Sequence, residues 1–410
     1  MKLLHTSDWH LGKNLEGYSR LEEQEVVLDY LVDLVNKENI QVVLIAGDIY
    51  DTANPPAKAE QLFYQTLKRM SNHGQRLIIV ISGNHDNPER LVCAGPLARE
   101  HGIIMIGYPK TTIEIGQYGK HQVVAAGAGY LEIEVEKERA VILTLPYPSE
   151  KRLNDVLYEI QEEEEKKAES YGQKIGELFS QLEKHYREDT INLVVSHLFV
   201  QGSQNGGSER SIELGGTYVV DKNLLPQKAQ YIALGHIHKP QVLGENLRYS
   251  GAILPFNKRE SKYKNSCNII TVAPKEVPLV EVKELPNPKP IKVYRLENYQ
   301  EALEVCKETS KEDSWVYLEI KTDSYMKEEE IKELKKWKDS IVAIEPILAE
   351  QEEKEEQSFH RELPMEELIK DFYKSQFQTE MDEELYQLFL TIIRNEDDNE
   401  TDSVSITGNQ

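Results

Sequence analysis

Residues 41–51 read QVVLIAGDIYD. The apolar run in this stretch ends at Gly47, and the acidic residues Asp48 and Asp51 come after it. An apolar run without alternation predicts a strand buried on both faces, as in a sheet that helices cover on both sides. Further strands are predicted at residues 3–7 and 77–81, and amphipathic helical stretches at 22–36 and 57–70 lie between the three. This β-α-β-α-β order predicts an α/β fold.

The chain continues with shorter apolar runs and one long charged stretch. Strands are predicted at residues 122–126, 140–145, 191–196, 231–234 and 268–272. Residues 153–185 are interpreted as a charged helical insertion, whose acidic run we expect to be a solvated helix face.

A proline-rich segment, PNPKP at residues 286–290, predicts a linker, since proline stiffens a connection and cannot extend a sheet. A chain of 410 residues also exceeds the ~250 to 300 at which a single core usually stops growing. We therefore expect a first domain at residues 1–285 and a small α+β domain at 286–350. Two apolar helices are predicted within residues 351–395, and a disordered tail at 396–410.

The net charge of −23 argues against binding to a polyanion, because nonspecific affinity for nucleic acids comes from Lys and Arg that neutralise phosphates. The acidity is uneven, however. Residues 286–410 contain 16 basic and 32 acidic residues, which leaves a net charge of −7 for residues 1–285. The charge therefore does not exclude a nucleic-acid substrate for the first domain.

Several classes of protein are excluded by what the sequence lacks. Its three cysteines lie far apart and form no CxxC pair, which argues against a disulfide framework and a thiolate zinc site. No apolar run approaches the ~18 residues of a membrane span, and the first residues lack the apolar core of a signal peptide. We therefore expect a cytoplasmic protein without a membrane anchor. Since there is no GxxxxGK[ST] motif, we do not expect the chain itself to hydrolyse ATP.

Polar motifs stand at the ends of five predicted strands. They are SDWH at residues 7–10, GDIYD at 47–51, GNHD at 83–86, SH at 196–197 and GHIH at 235–238. Open α/β sheets place their sites in the loops at the carboxyl ends of their strands, so these motifs are expected to converge.

The residue types in these motifs indicate a metal site. Asp, His and Asn supply oxygen and nitrogen donors that suit manganese, iron or zinc, whereas calcium prefers fewer imidazoles. A pair of divalent ions needs a bridging carboxylate and can clamp the attacking and leaving oxygens of a phosphodiester. Asp48 is the candidate bridge. Taken alone, Asp48 or Asn84 could instead form an Asx turn or a helix cap after a strand.

The pattern resembles the calcineurin-like metallophosphoesterases, and more closely the SbcD-type subunits of bacterial SbcCD nucleases. The resemblance covers about residues 1–395 and rests on HTSDWHLGK from residue 5, GDIYD from 47, SGNHDNPER from 82, VSHLFVQG from 195 and LGHIHKPQ from 234. It implies an α/β fold with a four-layer α/β/β/α domain, a small α+β cap and C-terminal helices. Residues 252–260 depart from the family's pattern.

The resemblance also implies a set of ligands for two divalent ions, with manganese expected and magnesium, iron or zinc as alternatives. One ion would be held by Asp8, His10, Asp48 and His238, and the other by Asp48, Asn84, His197 and His236. His85 would give a proton to the leaving oxygen, or else act as a histidine behind the ligands. Asp86 would orient an imidazole.

The function that the resemblance implies is that of a DNA nuclease within an ATP-dependent SbcCD complex. It would act as a 3'-5' exonuclease on duplexes and as an endonuclease on hairpins or single strands, in DNA repair, replication and recombination. The chain would form a homodimer through its first domain, bind the ATPase SbcC through residues 351–395, and associate with the nucleoid. Basic candidates for DNA contacts are Lys13, Arg20, Arg90, Lys258 and Arg259. The alternatives are another calcineurin-like phosphodiesterase or phosphatase, and a DNA-tethering protein without nuclease activity.

Overall fold

The computed structural model describes residues 1–153, 164–207, 219–322, 326–348 and 385–386. The C-terminal helices and the tail predicted after residue 350 fall outside the described residues, apart from positions 385–386. The fold described below belongs to one compact unit, which comprises Met1–Ile212 and Gly216–Ala349.

The apolar run that contains Val42–Ala46 forms a central strand of a six-stranded sheet, here called the first sheet. In spatial order its strands are Leu279–Glu284, Ser266–Thr271, Lys2–Thr6, Val42–Ala46, Leu77–Ile81 and Ile103–Ile106. The last four of these strands are parallel, whereas the first two pair antiparallel. The predicted β-α-β-α-β order is confirmed, with the helices Leu21–Lys37 and Ala57–Ser71 between the strands.

A second sheet contains eight strands. In spatial order they are Gln241–Val242, Leu247–Tyr249, Tyr231–Gly235, Ile191–His197, Glu138–Leu145, Tyr130–Val135, His121–Gly127 and Gly116–Tyr118. The predicted strands near residues 122, 140, 191 and 231 are confirmed. The sequence analysis missed Tyr130–Val135, which pairs antiparallel with Glu138–Leu145 across a tight turn.

Side-chain alternation within the buried strands explains how the layers stack. In Val42–Ala46, Val42 and Leu44 join the apolar cluster between the two sheets, whereas Val43 and Ile45 face the cluster that holds the first two helices. The outer face of the second sheet packs on the helix Glu164–Leu182. Burial of each such aliphatic side chain contributes about 1.5–3 kcal/mol. The order of layers is therefore α/β/β/α, and the expected fold class is confirmed.

The expected insertion at residues 153–185 supplies this outer layer. Tyr171, Ile175 and Phe179 of the helix Glu164–Leu182 are buried against the second sheet. The spacing of four residues places them on one face of the helix. This helix therefore contributes a buried apolar face to the fold, beside the charged face that the sequence predicts. Residues 154–163 lie outside the part of the chain that the structure describes.

Shorter elements connect the layers and shape the loops. Among the described residues of this domain, the remaining helices are Pro88–Val92, Gly95–Glu100 and Glu150–Leu153, with 3-10 turns at Glu183–His185, Lys222–Leu224 and Glu260–Lys262. Two small ladders pair Asn14–Leu15 with Tyr18–Ser19, and Phe199–Val200 with Val219–Val220.

Residues 291–348, here called the C-terminal module, form a three-stranded sheet with two helices on one face. Its strands are Ile291–Leu296, Trp315–Thr322 and Ile341–Leu348, and its helices are Tyr299–Glu308 and Glu328–Trp337. All three strands are parallel, so the module is an α/β unit where the sequence analysis expected an α+β one. The reason is that each pair of strands is connected through a helix, which returns the chain to the same end of the sheet.

The other face of the C-terminal module packs on the first domain. Trp315 and Tyr317 share a buried cluster with Leu15, and the indole N–H of Trp315 donates a 2.8 Å hydrogen bond to Glu23 Oε1.

Across the described residues, no helix has both the length and the apolar composition that crossing a bilayer requires.

Candidate metal centre

The five polar motifs meet where strands of the two sheets end. Main-chain hydrogen bonds tie the first two loops together, from Asp8 N to Gly47 O and from His10 N to Asp48 O, each 3.0 Å long. His197 and His236 reach the same place from neighbouring parallel strand ends of the second sheet. The expected convergence is therefore present in the fold.

One group of ligands consists of Asp8, His10 and His238, all of them buried. The Nε2 atoms of the two imidazoles face each other at 2.9 Å. Asp8 is held beside them, since one carboxylate oxygen accepts a hydrogen bond from the Ser7 hydroxyl and the other accepts one from the main-chain N–H of His236.

A second group consists of Asp48, His197 and His236, which are also buried. Asn84 completes it, because its side-chain oxygen lies 2.9 Å from His197 Nε2 and 3.1 Å from His236 Nδ1. Two ring nitrogens and an amide oxygen thus point at one another.

Asp48 lies between the two groups. Its Oδ2 atom is 3.6 Å from His10 Nε2 in the first group and 3.4 Å from His197 Nε2 in the second. Its Oδ1 atom accepts a 2.9 Å hydrogen bond from the main-chain N–H of His85. This position is the one that a bridging carboxylate requires.

Burial and neighbouring charges shift the pKa values of these side chains. Burial raises the pKa of Asp8 to about 6 and lowers the pKa of His10 to about 3. Burial also disfavours a charge on His197, but the Asp48 carboxylate outweighs this effect and raises the pKa of His197 to about 9. A buried carboxylate needs a cationic partner, which a protonated imidazole or a cation can supply.

The donor set fits divalent metal ions. It combines two carboxylates, one amide oxygen and four imidazoles, which are the oxygen and nitrogen donors that manganese, iron and zinc accept. Ring nitrogens as close as those of His10 and His238 are favourable only with a proton or a cation between them. Asp8, His10 and His238 would hold one ion, and Asn84, His197 and His236 another, with Asp48 shared.

The backbone at this centre is strained. The φ angle is positive at four ligands, with values of 51° at Asp8, 44° at His10, 50° at Asp48 and 101° at His236. Residues other than glycine seldom adopt positive φ angles. Each such residue costs on the order of 1–3 kcal/mol and persists only where the surrounding structure enforces it. Concentration of this strain at four ligands indicates a functional site.

The glycines of the motifs allow the loops to approach closely. A Cβ atom on Gly83 would lie 2.1 Å from Asp48 Oδ1, and one on Gly235 would lie 1.9 Å from Ala46 O. Both distances are far below van der Waals contact, so a larger side chain would push the loops apart.

Two ligand imidazoles are oriented through their second ring nitrogen. His197 Nδ1 donates to the carbonyl oxygen of Ala46 at 2.9 Å, and His238 Nδ1 donates to Glu260 Oε1 at 3.0 Å. Sequence reasoning missed Glu260, which lies in the stretch that departs from the family's pattern. A glutamate 22 positions after its partner gives no local signal.

The expected role of Asp86 is corrected by its hydrogen bonds. Its carboxylate accepts hydrogen bonds from the main-chain N–H groups of Ile49, Tyr50 and Gly83, at 2.8 to 3.1 Å, and none of these partners is an imidazole. Asp86 therefore ties the loop that carries Asn84 to the loop that carries Asp48. A buried carboxylate that accepts hydrogen bonds from three main-chain N–H groups fixes the geometry of the loops that carry them.

Arg152 is a further residue that sequence reasoning missed. Its guanidinium donates to Gly83 O at 2.6 Å and to Asp86 O at 2.7 Å, on either side of Asn84 and His85. It therefore clamps this loop from the side of the second sheet. No motif marks it, because it lies immediately before the stretch at residues 153–185 that was interpreted as an insertion.

His85 lies beside the two groups and is almost fully buried. Its ring packs edge-on against His10, with ring centres 4.6 Å apart. Its Nδ1 atom donates to the main-chain oxygen of Asp51 at 2.6 Å, so a proton carried to a substrate would have to sit on Nε2. This arrangement is compatible with the expected proton transfer.

The basic candidates for DNA contacts occupy different environments. Arg20 is a wrong prediction as a DNA contact, because it is fully buried and its guanidinium bonds to the Glu23 carboxylate and to Pro255 O. Lys258 pairs with Glu319 and Glu345 of the C-terminal module at 3.2 and 2.5 Å.

The other three basic candidates differ in exposure and in pairing. Lys13 pairs with Asp51 at 2.6 Å on the rim of the centre. Arg90 is exposed but pairs with Glu60 at 2.9 Å. Arg259 is exposed next to Glu260, and its side chain lies near Gly207. Arg259 is therefore accessible to solvent on the segment that also carries the buried Glu260.

Comparisons with known proteins identify the family of this chain. Residues 1–240 match a family model described as calcineurin-like phosphoesterase, and residues 287–377 match one described as type 5 capsule protein repressor C-terminal domain. The chain is 39% identical to the D subunit of nuclease SbcCD from Bacillus subtilis, over 96% of this chain and 97% of that protein.

Two further proteins of the same name are more distant. The identity is 28% for that of Staphylococcus saprophyticus, over 80% of each chain, and 31% for that of Rhodobacter capsulatus, over 72% of this chain and 71% of that protein. The chain belongs to the calcineurin-like phosphoesterase family, in the group of the nuclease SbcCD D subunits.

Proposed function

We propose that this chain is the nuclease component of an SbcCD-type complex and hydrolyses DNA phosphodiesters with two divalent metal ions. Manganese is the first choice for both ions, and magnesium, iron and zinc are alternatives. The observation that carries the proposal is the convergence of seven donor side chains into two groups that share Asp48, with His85 bonded to the same carboxylate. The names of the curated relatives supply the substrate class.

Divalent ions bound at this centre would supply positive charge and activate water near neutral pH for attack on a phosphodiester. The protein's part is to fix the donors before substrate arrives. Strained backbone at Asp8, His10 and Asp48 sets the directions of their side chains, and hydrogen bonds to Ala46 O and Glu260 set those of two imidazoles. Such preorganisation removes the need for the site to rearrange during the reaction.

His85 is the proposed proton donor to the leaving oxygen. As an imidazolium it keeps one N–H on the carbonyl of Asp51, and its Nε2–H would donate to a substrate oxygen. The hydrogen bond from its main chain to Asp48 keeps the ring at a fixed place relative to the shared ligand. His85 thus acts on substrate and is not among the donors of the two groups.

DNA is proposed to approach along the exposed side of the centre, where Arg259 and Arg90 are accessible and Lys13 lies on the rim. The strong acidity of the chain does not oppose this approach, because residues 286–410 account for −16 of the net charge of −23. We propose 3'-5' exonuclease activity on duplexes and endonuclease activity on hairpins or single strands.

The proposed organisation follows the domain boundaries given above. Residues 1–285 form the nuclease domain, 286–350 a capping domain that helps to recognise DNA, and 351–395 the helices that bind an SbcC-type ATPase. ATP hydrolysis would belong to that partner. The chain would dimerise through its nuclease domain, and it would act in the cytoplasm at the nucleoid.

The deciding experiment measures cleavage of blunt linear duplexes and of hairpin DNA by the full chain with Mn²⁺, alone and with an SbcC-type ATPase plus ATP. His85→Asn is expected to lower turnover by about 10²- to 10⁴-fold, the contribution of a general acid, with Mn²⁺ binding retained. Asp48→Asn is expected to lose both cleavage and Mn²⁺.

A matched control is Asp29→Asn, since Asp29 is half exposed on the helix Leu21–Lys37 and pairs at the surface with Arg69. This variant should cleave as the unmodified chain does. Hydrolysis of a small phosphodiester or a phosphopeptide without any DNA cleavage would overturn the nuclease proposal and indicate another phosphoesterase. DNA binding without hydrolysis of any substrate would indicate a tethering protein.

A further inference from the structure

Glu260 is a buried carboxylate whose position is unusual for its residue type. Its side chain is fully inaccessible, and glutamate is almost never buried without partners. Its Oε1 atom accepts from His238 Nδ1 at 3.0 Å, and its Oε2 atom accepts from the main-chain N–H of Phe256 at 2.8 Å. The cost of removing this charge from water is offset by hydrogen bonds, one of which leads to a metal ligand.

The bond to Glu260 decides which nitrogen of His238 faces the centre. An ionised carboxylate can only accept, so Nδ1 carries the proton and the lone pair of a neutral ring lies on Nε2. That atom lies 2.9 Å from His10 Nε2, inside the first ligand group. The ring is therefore held in the tautomer that binds a metal.

The hydrogen-bond partner of the ligand imidazole differs between the two ligand groups. Nδ1 of His238 in the first group donates to the negatively charged Glu260 carboxylate, whereas Nδ1 of His197 in the second donates to the neutral carbonyl of Ala46. A carboxylate raises the basicity of a ligand histidine more than a carbonyl does. Loss of the carboxylate should accordingly affect one group and spare the other.

The segment that carries Glu260 is fixed from several directions. Asn257 Oδ1 accepts from the main-chain N–H groups of Arg259 and Glu260, at 2.7 and 2.9 Å. Arg20 donates to Pro255 O at 2.8 Å, and Lys258 pairs with Glu319 and Glu345 of the C-terminal module. The carboxylate is thus held in place before any ligand binds.

We propose that Glu260 is a positioning residue that fixes His238 and selectively strengthens metal binding by the group of Asp8, His10 and His238. The proposal rests on the metal centre of the proposed function and does not depend on the substrate. Because the carboxylate acts through His238, it touches neither substrate nor metal.

The test is a calorimetric titration of the full, metal-free chain with Mn²⁺ in the absence of DNA. Glu260→Gln keeps the size of the side chain and an acceptor oxygen but removes the charge, and Glu260→Ala removes both. We expect the affinity of one Mn²⁺ site to fall, by about 10- to 100-fold in Glu260→Ala and less in Glu260→Gln, with the other site unchanged. The matched control is Glu284→Gln, an exposed partner of Lys264 that lies on the edge strand Leu279–Glu284.

The electron paramagnetic resonance spectrum of bound Mn²⁺ provides a second readout. At one equivalent of Mn²⁺ per chain, the variants should move the ion to the second group and change the spectrum. Unchanged affinities at both sites would overturn the proposal. Equal weakening of both sites together with a lower melting temperature would also overturn it, because the residue would then only support the fold. Failure of DNA cleavage alone would bear on the proposed function and not on Glu260.

Discussion

The Nε2 atoms of His10 and His238 lie 2.9 Å apart, although the two residues are 228 positions apart in the chain. Both rings are buried. Folding thus brings donor atoms together before any ion binds, at the expense of backbone strain and of charge burial in the same loops. An ion that binds between them should recover part of that free energy.

Metal binding is therefore expected to raise the stability of the fold. For a ligand that binds only the folded state, a concentration of 100 times Kd adds about 2.7 kcal/mol to the free energy of unfolding. Addition of Mn²⁺ to the metal-free chain should raise the melting temperature, and Asp48→Asn should abolish most of this rise because Asp48 contacts both groups. Differential scanning calorimetry with and without Mn²⁺ measures both effects, and a rise that persists in full in Asp48→Asn would contradict the bridging position.

Much of this centre could be predicted because each ligand comes directly after an apolar strand. Asp8, Asp48 and Asn84 follow strands of the first sheet, and His197 and His236 stand at strand ends of the second. Strand ends of a layered α/β fold meet at one edge, so spacing along the chain mattered little. The position of these ligands was therefore implicit in local sequence patterns.

Glu260 and Arg20 could not be placed in the same way. Glu260 follows no strand, and only the folded chain brings it to His238. Arg20 and Glu23 have the i,i+3 spacing of a helical ion pair, which is a local signal. Burial of that pair, however, depends on Trp315, which is 292 positions away from Glu23 and which no local pattern connects to it.

The close approach of Gly83 to Asp48 leads to a prediction for Gly83→Ala. The added Cβ would lie 2.1 Å from Asp48 Oδ1 and 2.3 Å from Asp48 N, so the loops that hold Asp48 and Asn84 must separate. We expect Mn²⁺ affinity to fall at both sites, since Asp48 serves both, and a titration with Mn²⁺ measures this.

Gly95→Ala is the matched control for this substitution. A Cβ on Gly95 would meet no atom within 4 Å, at the start of the helix Gly95–Glu100. Its Mn²⁺ binding should equal that of the unmodified chain. Tight Mn²⁺ binding by Gly83→Ala would show that the loops can separate without loss of the site.

The burial of Arg20 predicts a loss of stability in Arg20→Ala. The guanidinium forms a two-pronged pair with Glu23 and also bonds to Pro255 O, so its removal leaves the buried Glu23 carboxylate without its cationic partner. Breaking a buried ion pair in this way costs about 3–5 kcal/mol. Urea denaturation should show this loss, while the salt dependence of DNA binding by the folded variant should not change.

Arg259→Ala should show the opposite behaviour. Arg259 is exposed, so its removal should change stability by no more than about 0.5 kcal/mol. If Arg259 contacts a phosphate, the slope of log affinity for DNA against log salt concentration should decrease by about 1. If the variant keeps both this slope and the DNA affinity of the unmodified chain, Arg259 does not contact DNA.

His5 predicts a pH dependence of stability that is separate from the metal ligands. Its Nε2 donates to Leu234 O at 3.1 Å, so Nδ1 accepts from the Tyr231 hydroxyl at 2.9 Å, and the ring is neutral between the two sheets. Burial lowers the pKa of His5 to about 3, whereas an unfolded histidine has a pKa of about 6.5. Between these values only the unfolded chain binds this proton, so the contribution of His5 is complete above pH 6.5 and declines as the pH falls.

Replacement of His5 by glutamine tests this contribution. Each pKa unit corresponds to about 1.4 kcal/mol, so the stability of the unmodified chain should fall by about 2 kcal/mol more than that of His5→Gln between pH 8 and pH 5. Urea denaturation in the presence of a chelator measures both chains, and the chelator ensures that the titration of the metal ligands contributes equally to each. Parallel stability curves would mean that the folded chain accepts a proton on His5, which would require water or a carboxylate to reach the space between the sheets.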